Sequence, residues 1–313
     1  MTKDLTKGTP WKVIAKFSLP VIGGNLFQLF YTLADTVIVG RTLGAEALAA
    51  VGATATIVYF VLCFIQGLTG GFGILLGQAF GAGNERQMKE SVGASYWICT
   101  IFSVFSTILC CCLVDGILRM MNTPGDIYER AYRYLFIIFI GNGAAVFYNM
   151  ISNMLRALGD SKTPLYFLVF SSLLNVVLDI VFIVPCNMDV AGAAWATVLS
   201  QAVSAALCIW YAGKKFEVMR LNRQERRFQP DAVKRHLKIG FPMGFQMSVM
   251  CIGQLAMQAA VNQIGTEAIA GYTAAKADQL AVLVDNAVGI GIAGYVAQNF
   301  GAGKIEKEYG IVF

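Results

Sequence analysis

Residues 77–83 read GQAFGAG, and residues 297–303 read AQNFGAG, 220 positions further on. Working outward, GAEALA at 44–49 returns as GTEAIA at 265–270, and FSLP at 17–20 returns as IGFP at 239–242. The offsets are 221 and 222, so three matches keep one order and nearly one register. Such a pattern marks an internal duplication. An even number of apolar segments, six, separates the two copies. Both halves therefore enter the membrane from the same side, as a parallel repeat.

The apolar segments lie roughly at 13–39, 47–79, 90–114, 127–156, 163–185, 190–213, 238–263 and 267–299, each near or above the ~20 residues that cross a bilayer. Composition agrees: 57% of the 313 residues are hydrophobic and 14% charged, with mean hydropathy +0.61. A water-soluble chain carries about 25% charged residues. The expected fold class is therefore an all-α polytopic membrane protein of two six-helix lobes, the second incomplete, with about eight spans. The expected domains are residues 1–213, a basic linker at 214–237, and the first two helices of a second lobe at 238–313. A complete duplication needs about 440 residues, twice the offset, so the chain reads as a fragment or a truncated product.

Charge sets the expected orientation. With the N-terminus in the cytoplasm, 19 of the 24 Lys and Arg fall on the inner side, nine of them between Lys214 and Lys238. That bias follows the positive-inside rule and supports a cytoplasmic N-terminus. The net charge of +5 then reflects orientation and gives no reason to expect nucleic acid as a partner. The 214–237 stretch reads as a solvated linker, and its one histidine, His236, as a solvated side chain. The eight cysteines lack metal-ligand spacing and read as small apolar side chains. The first apolar segment has no small-residue cleavage site after it and reads as a retained helix.

These motifs resemble the multidrug and toxic compound extrusion (MATE) family, nearest its DinF-like prokaryotic branch. The resemblance rests on Leu19-Pro20 with Ala34-Asp35-Thr36, on GQAFGAG at 77–83, on LRALGDSKTP at 155–164, and on NVVLD at 175–179. It covers essentially the whole chain. It implies twelve helices in two lobes, of which the last four are missing here. It also implies export of small, often cationic, organic compounds by a monomer that needs no cofactor besides a coupling ion.

Acids inside a span cost about 2.5–3.5 kcal/mol on insertion scales and are functional candidates by default. In the first segment Asn25, Gln28, Thr32 and Asp35 share one helical face. The fifth segment sets Asn175 and Asp179 four apart, and the sixth offers Thr197, Gln201 and Ser204. The fourth adds Asn142, Asn149 and Asn153. In lipid these stripes must face each other or water, which predicts a hydrated pocket within the first lobe. Asp35 and Asp179 fall at similar depth, where crowding and lost hydration suit them to hold a proton or a small cation. Asp35, Asn175, Asp179 and Thr197 are thus the expected coupling site for H+ or Na+. In the resemblance the matching acids carry that role. Gln28, Thr32, Asn149 and Asn153 are expected to support them.

The second half lacks these acids. Asp35 maps onto Ala256 or Met257, and Met250 stands near the place where NorM-like relatives carry a glutamate. Lys276, Asp278 and Asp285 in the eighth segment are candidates for a substrate cavity. Gly67, Gly71, Gly73, Gly77 and Gly81 read as small-xxx-small packing positions. Pro20 and Pro242 are expected to kink their helices. No phosphate-binding loop and no catalytic constellation appears, so an ion gradient is the expected energy source and an enzyme is not expected. A lipid-linked precursor flippase is the alternative, weakened by the single intramembrane cation, Lys276.

Overall fold

The computed structural model describes residues 4–223, 225–264 and 279–304. Among them the chain is helical and free of strands. The helices are α1 Pro10–Leu43, α2 Ala45–Gly81, α3 Glu85–Met120, α4 Gly125–Ile140, α5 Asn142–Ala157, α6 Lys162–Ile183, α7 Asp189–Lys215, α8 Pro230–Ile264 and α9 Gln279–Gly301. A short 3-10 turn, Glu217–Met219, lies between α7 and α8. Five of these helices are long and apolar enough to cross a membrane, and six if the bent pair α4–α5 is one span. The seventh expected segment falls on α8. The eighth falls on α9 and on residues outside those described.

Local chemistry sets the helix ends. Pro10 opens α1, where its missing N–H costs nothing. Gly44 separates α1 from α2 with φ +86, a conformation that suits glycine. The Asn84 side chain caps α3 by accepting from the Gln87 N–H at 3.1 Å. α1 runs through Pro20 as one helix. The expected fourth span departs from expectation: it is two helices bent by 46° at Gly141. A Cβ on Gly141 would overlap the Val198 side chain of α7, so the bend lies where α7 approaches most closely.

α2 is the axis of the bundle. It packs against α3, α4, α5, α8 and α9 as well as α1. Ile65, Leu68, Phe72 and Leu76 of α2 are fully buried against Met150, Ile151 and Met154 of α5. Its glycines admit the second half. A Cβ on Gly67 would collide with the Met243 carbonyl oxygen, and one on Gly71 would stand 2.7 Å from the Gly240 Cα. In lipid, where apolar burial drives no association, such close packing is what binds helices. The two copies of the repeated motif meet in the same way. A Cβ on Gly81 would collide with the Gln298 carbonyl oxygen, and one on Gly301 with the Gln78 carbonyl oxygen. This reciprocity is the pseudo-twofold relation of the halves. Leu5 and the Leu5 N–H, which donates to Gln298 Oε1 at 2.9 Å, cover the seam.

The 214–237 stretch differs most from its expected solvated form. α7 continues to Lys215 and α8 starts at Pro230, within the expected linker. Phe216 and Met219 are buried in the core that surrounds α2 and α5. The Arg220 guanidinium donates to the Gly213 and Lys214 carbonyls at the end of α7, where helix carbonyls lack partners. Lys89 of α3 pairs with Glu225 at 3.2 Å. His236 is 3% exposed and bonded to Ser91 of α3 at 2.8 Å, with the Phe72 ring beside it. The apolar residues scattered among the charges are what anchor this stretch.

Candidate functional site: an acid pair between α1, α6 and α7

Asp35 of α1 and Asp179 of α6 lie beside each other, close enough that their carboxyl groups interact directly. Two carboxylates at such a place repel and lose hydration, and a proton on either one would let it donate to the other. Asp179 and Asn175 have no solvent exposure. The Asn175 amide is placed with its nitrogen toward Asp179, which satisfies both of its ends. It then donates to Asp179 Oδ2 at 2.9 Å, and its oxygen accepts from the Thr197 N–H at 3.2 Å. Spacing explains this: Asn175 and Asp179 stand one turn apart on α6 and face α7 together. The Thr197 hydroxyl lies 3.4 Å from the Tyr31 hydroxyl of α1. Three helices thus contribute to one chain of polar groups, fully buried at Asn175 and Asp179 and half-buried at Tyr31, Asp35 and Thr197.

Among the described residues no cation pairs with either acid. Asp35 Oδ1 and Asp179 Oδ1 are buried and have no hydrogen-bond partner within the described protein. Such groups are costly to bury unsatisfied. The arrangement can hold one proton between two acids. Equally, the oxygens of Asp35, Asp179, Asn175, Thr197 and Tyr31 are the donor type that a hard cation takes.

Two tyrosines were not singled out from sequence. Tyr31 precedes Asp35 by one turn, a signal present in the sequence but masked by the apolar body of the residue. Tyr134 of α4 is buried within electrostatic reach of Asp35, Asp179 and Tyr31. Nothing in its local sequence marks it, because only the packing of α4 brings it there.

The four expected supporting residues lie apart from the pair. Gln28 and Thr32 are exposed, and the Thr32 hydroxyl donates to the Gln28 carbonyl of its own helix at 3.0 Å. Asn149 donates to the Ala145 carbonyl at 2.9 Å. Asn153 donates to Thr69 of α2 at 3.0 Å and accepts from Arg156 at 3.1 Å. Asn25 joins α1 to α9 through the Leu283 carbonyl at 3.2 Å. Asn142 bonds Ser106 at 2.9 Å and Ser204 bonds the Phe167 carbonyl at 3.0 Å, as helix-to-helix links. Asp285 lies exposed on α9, whereas Lys276 and Asp278 lie outside the described residues.

The 155–164 motif builds a helix junction. Gly159 takes φ +81, and Asp160 caps α6 by accepting from the Thr163 N–H at 3.1 Å and the Thr163 hydroxyl at 2.7 Å. Lys215, at the end of α7, donates to the same carboxylate at 2.6 Å. Burial works against the Asp160 charge. The Lys215 ammonium and the Thr163 donors outweigh it and hold the carboxyl below its usual range.

Comparison with known proteins agrees with this architecture. The MatE family profile matches residues 20–181. The chain is 35% identical over 309 residues to the probable multidrug resistance protein YpnP of Bacillus subtilis, covering 97% of this chain and 68% of that protein. It is 28% identical over 317 residues to the probable multidrug resistance protein YoeA of the same organism, covering 98% and 68%. The solved structure of a MOP superfamily transporter from Pyrococcus furiosus superposes with a TM-score of 0.89 at 26% identity, over 97% of this chain and 68% of that one. The chain thus spans about two thirds of the length of the relatives it matches.

Proposed function

This chain belongs to the MatE family of multidrug efflux transporters, and from that premise we propose that it exports small, often cationic, organic compounds by secondary active transport coupled to H+ or Na+. The observation that carries the reading is the acid pair. Asp35 and Asp179 come from different helices, lie beside each other, and each keep one buried oxygen without a partner in the described protein. A proton or sodium ion arriving there changes the charge that α1, α6 and α7 must accommodate. That change favours one arrangement of the first half over another, which is how a bound ion shifts a two-state equilibrium.

In this reading Asp35 and Asp179 bind the ion, and Asn175, Thr197 and Tyr31 orient them. The two halves rock about the glycine contacts of α2 with α8, exposing the substrate path to each side in turn. The chain lies in the inner membrane with its N-terminus in the cytoplasm, works as a monomer, and needs no cofactor besides the coupling ion. Asp285 faces the substrate path, because an exposed acid on a membrane helix is stable only toward water.

The test is dye efflux from proteoliposomes under imposed proton and sodium gradients, applied separately. Efflux driven by one gradient supports the reading and names the ion. Efflux at the rate of empty vesicles under both gradients overturns it.

A further inference from the structure

A cleft of about 590 Å³ opens where the chain enters α1, lined by Asp4, Lys7, Lys12 and Lys16 and by the helix start at Gly8 and Thr9. Three lysines against one aspartate leave a surplus of two positive charges. Asp4 is already engaged. It lies 3.4 Å from Lys7 Nζ, and its Oδ1 accepts from the Thr6 N–H at 2.9 Å and the Thr6 hydroxyl at 2.6 Å. Lys12 and Lys16 stand one turn apart on the exposed side of α1 and pair with no acid among the described residues. The helix adds to the positive field, because its first turn holds no acid and Thr9 gives it no side-chain cap.

We infer that this cleft is a binding site for the phosphate of an anionic membrane lipid, held by Lys7, Lys12 and Lys16. Phosphate supplies the anion that the cleft lacks, and ammonium groups bind it as point charges without demanding one geometry. Depth selects the source. The Lys12 ammonium lies 5.4 Å from the centroid of the exposed Trp11 ring. Near the end of α7, the Lys214 ammonium lies 4.1 Å from the centroid of the exposed Trp210 ring. Both pairs stand at one end of the bundle. Gly24 of α1 packs against Leu168 of α6 and Asp35 lies beside Asp179, so α1 and α6 run in the same direction, and Lys215 at the end of α7 reaches Asp160 at the start of α6. Exposed tryptophans with lysines at one end of a membrane bundle mark the membrane–water interface. A cleft at that level meets lipid headgroups. Leu19 continues the Lys12–Lys16 face of α1, and Phe27 and Phe30 follow on it, all exposed. Acyl chains can lie along them.

Occupancy also bears on how the two halves are joined. The segment that gives Asp4 and Lys7 to the cleft gives Leu5 and Thr6 to the seam beside it. Leu5 is buried with Ile14, Phe17 and Tyr295, and its N–H donates to Gln298 Oε1. Lys304 Nζ donates to the Thr6 hydroxyl at 3.1 Å. A phosphate that bridges Lys7 to Lys12 and Lys16 therefore fixes this segment against α1 and, through Leu5 and Thr6, steadies the contact of α1 with α9. The site stands independently of the transport reading, since it uses none of the residues around Asp35.

The full chain is placed in nanodiscs of phosphatidylcholine alone, or of equal parts phosphatidylcholine and phosphatidylglycerol. Native mass spectrometry reads the lipid retained by the chain, and amide exchange is followed over residues 4–16. The expected result is preferential retention of phosphatidylglycerol, with exchange over that segment slowed in the mixed discs only. Lys12→Gln with Lys16→Gln is expected to weaken retention by about fivefold for each lysine removed and to abolish the slowing. Lys162→Gln with Lys234→Gln removes the same charge from exposed positions elsewhere and is expected to leave both readouts unchanged. Equal losses in the two double variants, or equal retention of the two lipids, overturns the proposal. Inorganic phosphate added to the phosphatidylcholine discs is expected to leave exchange unchanged. The same slowing with inorganic phosphate would make free phosphate the ligand and overturn the assignment to lipid.

Discussion

Asp35 on α1 lies beside Asp179 on α6 at the meeting point of three helices of the first half. An asparagine at position 35 keeps the shape and a donor but can release no proton and offers no charge to a cation. Asp35→Asn is expected to reduce gradient-driven efflux to the level of empty vesicles while the protein still inserts and melts as before. Normal efflux from Asp35→Asn would place the coupling site elsewhere, with Asp285 the next acid to test.

Thr197 bridges Tyr31 to Asn175, and its backbone N–H persists in any variant. Thr197→Val removes only the hydroxyl link to Tyr31. A hydrogen bond of this kind contributes about 1 kcal/mol, so the affinity for the coupling ion is expected to fall roughly fivefold. Titrating efflux against the driving ion measures it. An unchanged half-saturation point would exclude Thr197 and Tyr31 from the orienting network.

Two glycines should respond with opposite sign. A Cβ on Gly81 meets the Gln298 backbone carbonyl, which cannot rotate away. Gly81→Ala is expected to destabilise by about 1–3 kcal/mol, the cost of overpacking. Gly116 on α3 is exposed and has open space around it, so Gly116→Ala should stabilise by about 0.5–1 kcal/mol. Thermal unfolding in one detergent compares the two, and equal shifts would contradict the packing described.

Lys215 and Thr163 hold the Asp160 carboxyl below its usual range. The stability this supplies is fully present above the unfolded carboxyl value of about 3.9 and is lost as pH falls toward the lower folded value. Lys215→Ala removes the cation and is expected to cost about 1–3 kcal/mol near neutral pH. The gap between the melting temperatures of the two proteins should narrow on acidification from about pH 5 to pH 3. A gap that stays constant across that range would assign the loss to packing of the lysine stem.

Much of the fold was legible because membrane helices announce themselves one at a time. Length, apolar composition and the three repeated motifs need no partner to be read. The glycines at 67, 71, 77 and 81 are written as close-packing positions, and each meets a neighbour. Asp35 and Asp179 stand out because a charge in an apolar run is expensive wherever it points. Residues 214–237 were harder. Charge density there suggests a solvated linker, yet Phe216, Met219 and His236 are buried, since a few apolar anchors outweigh charges that can reach water or carbonyls.

By itself the sequence determined that this chain is a helical membrane protein with a parallel internal repeat and two acids inside its first half. Periodicity, hydropathy and duplication are properties of the chain alone. Which polar residues share a site was decided only by tertiary structure. Helical spacing says that Gln28, Thr32 and Asp35 share a face, but a face is broad. The approach of α6 and α7 is what selects Asp35 and Tyr31 from it and leaves Gln28 and Thr32 exposed. Likewise Tyr134 comes within electrostatic reach of the acids only through the packing of α4, far from them in sequence. No local pattern encodes a contact whose energy exists only once both partners are packed.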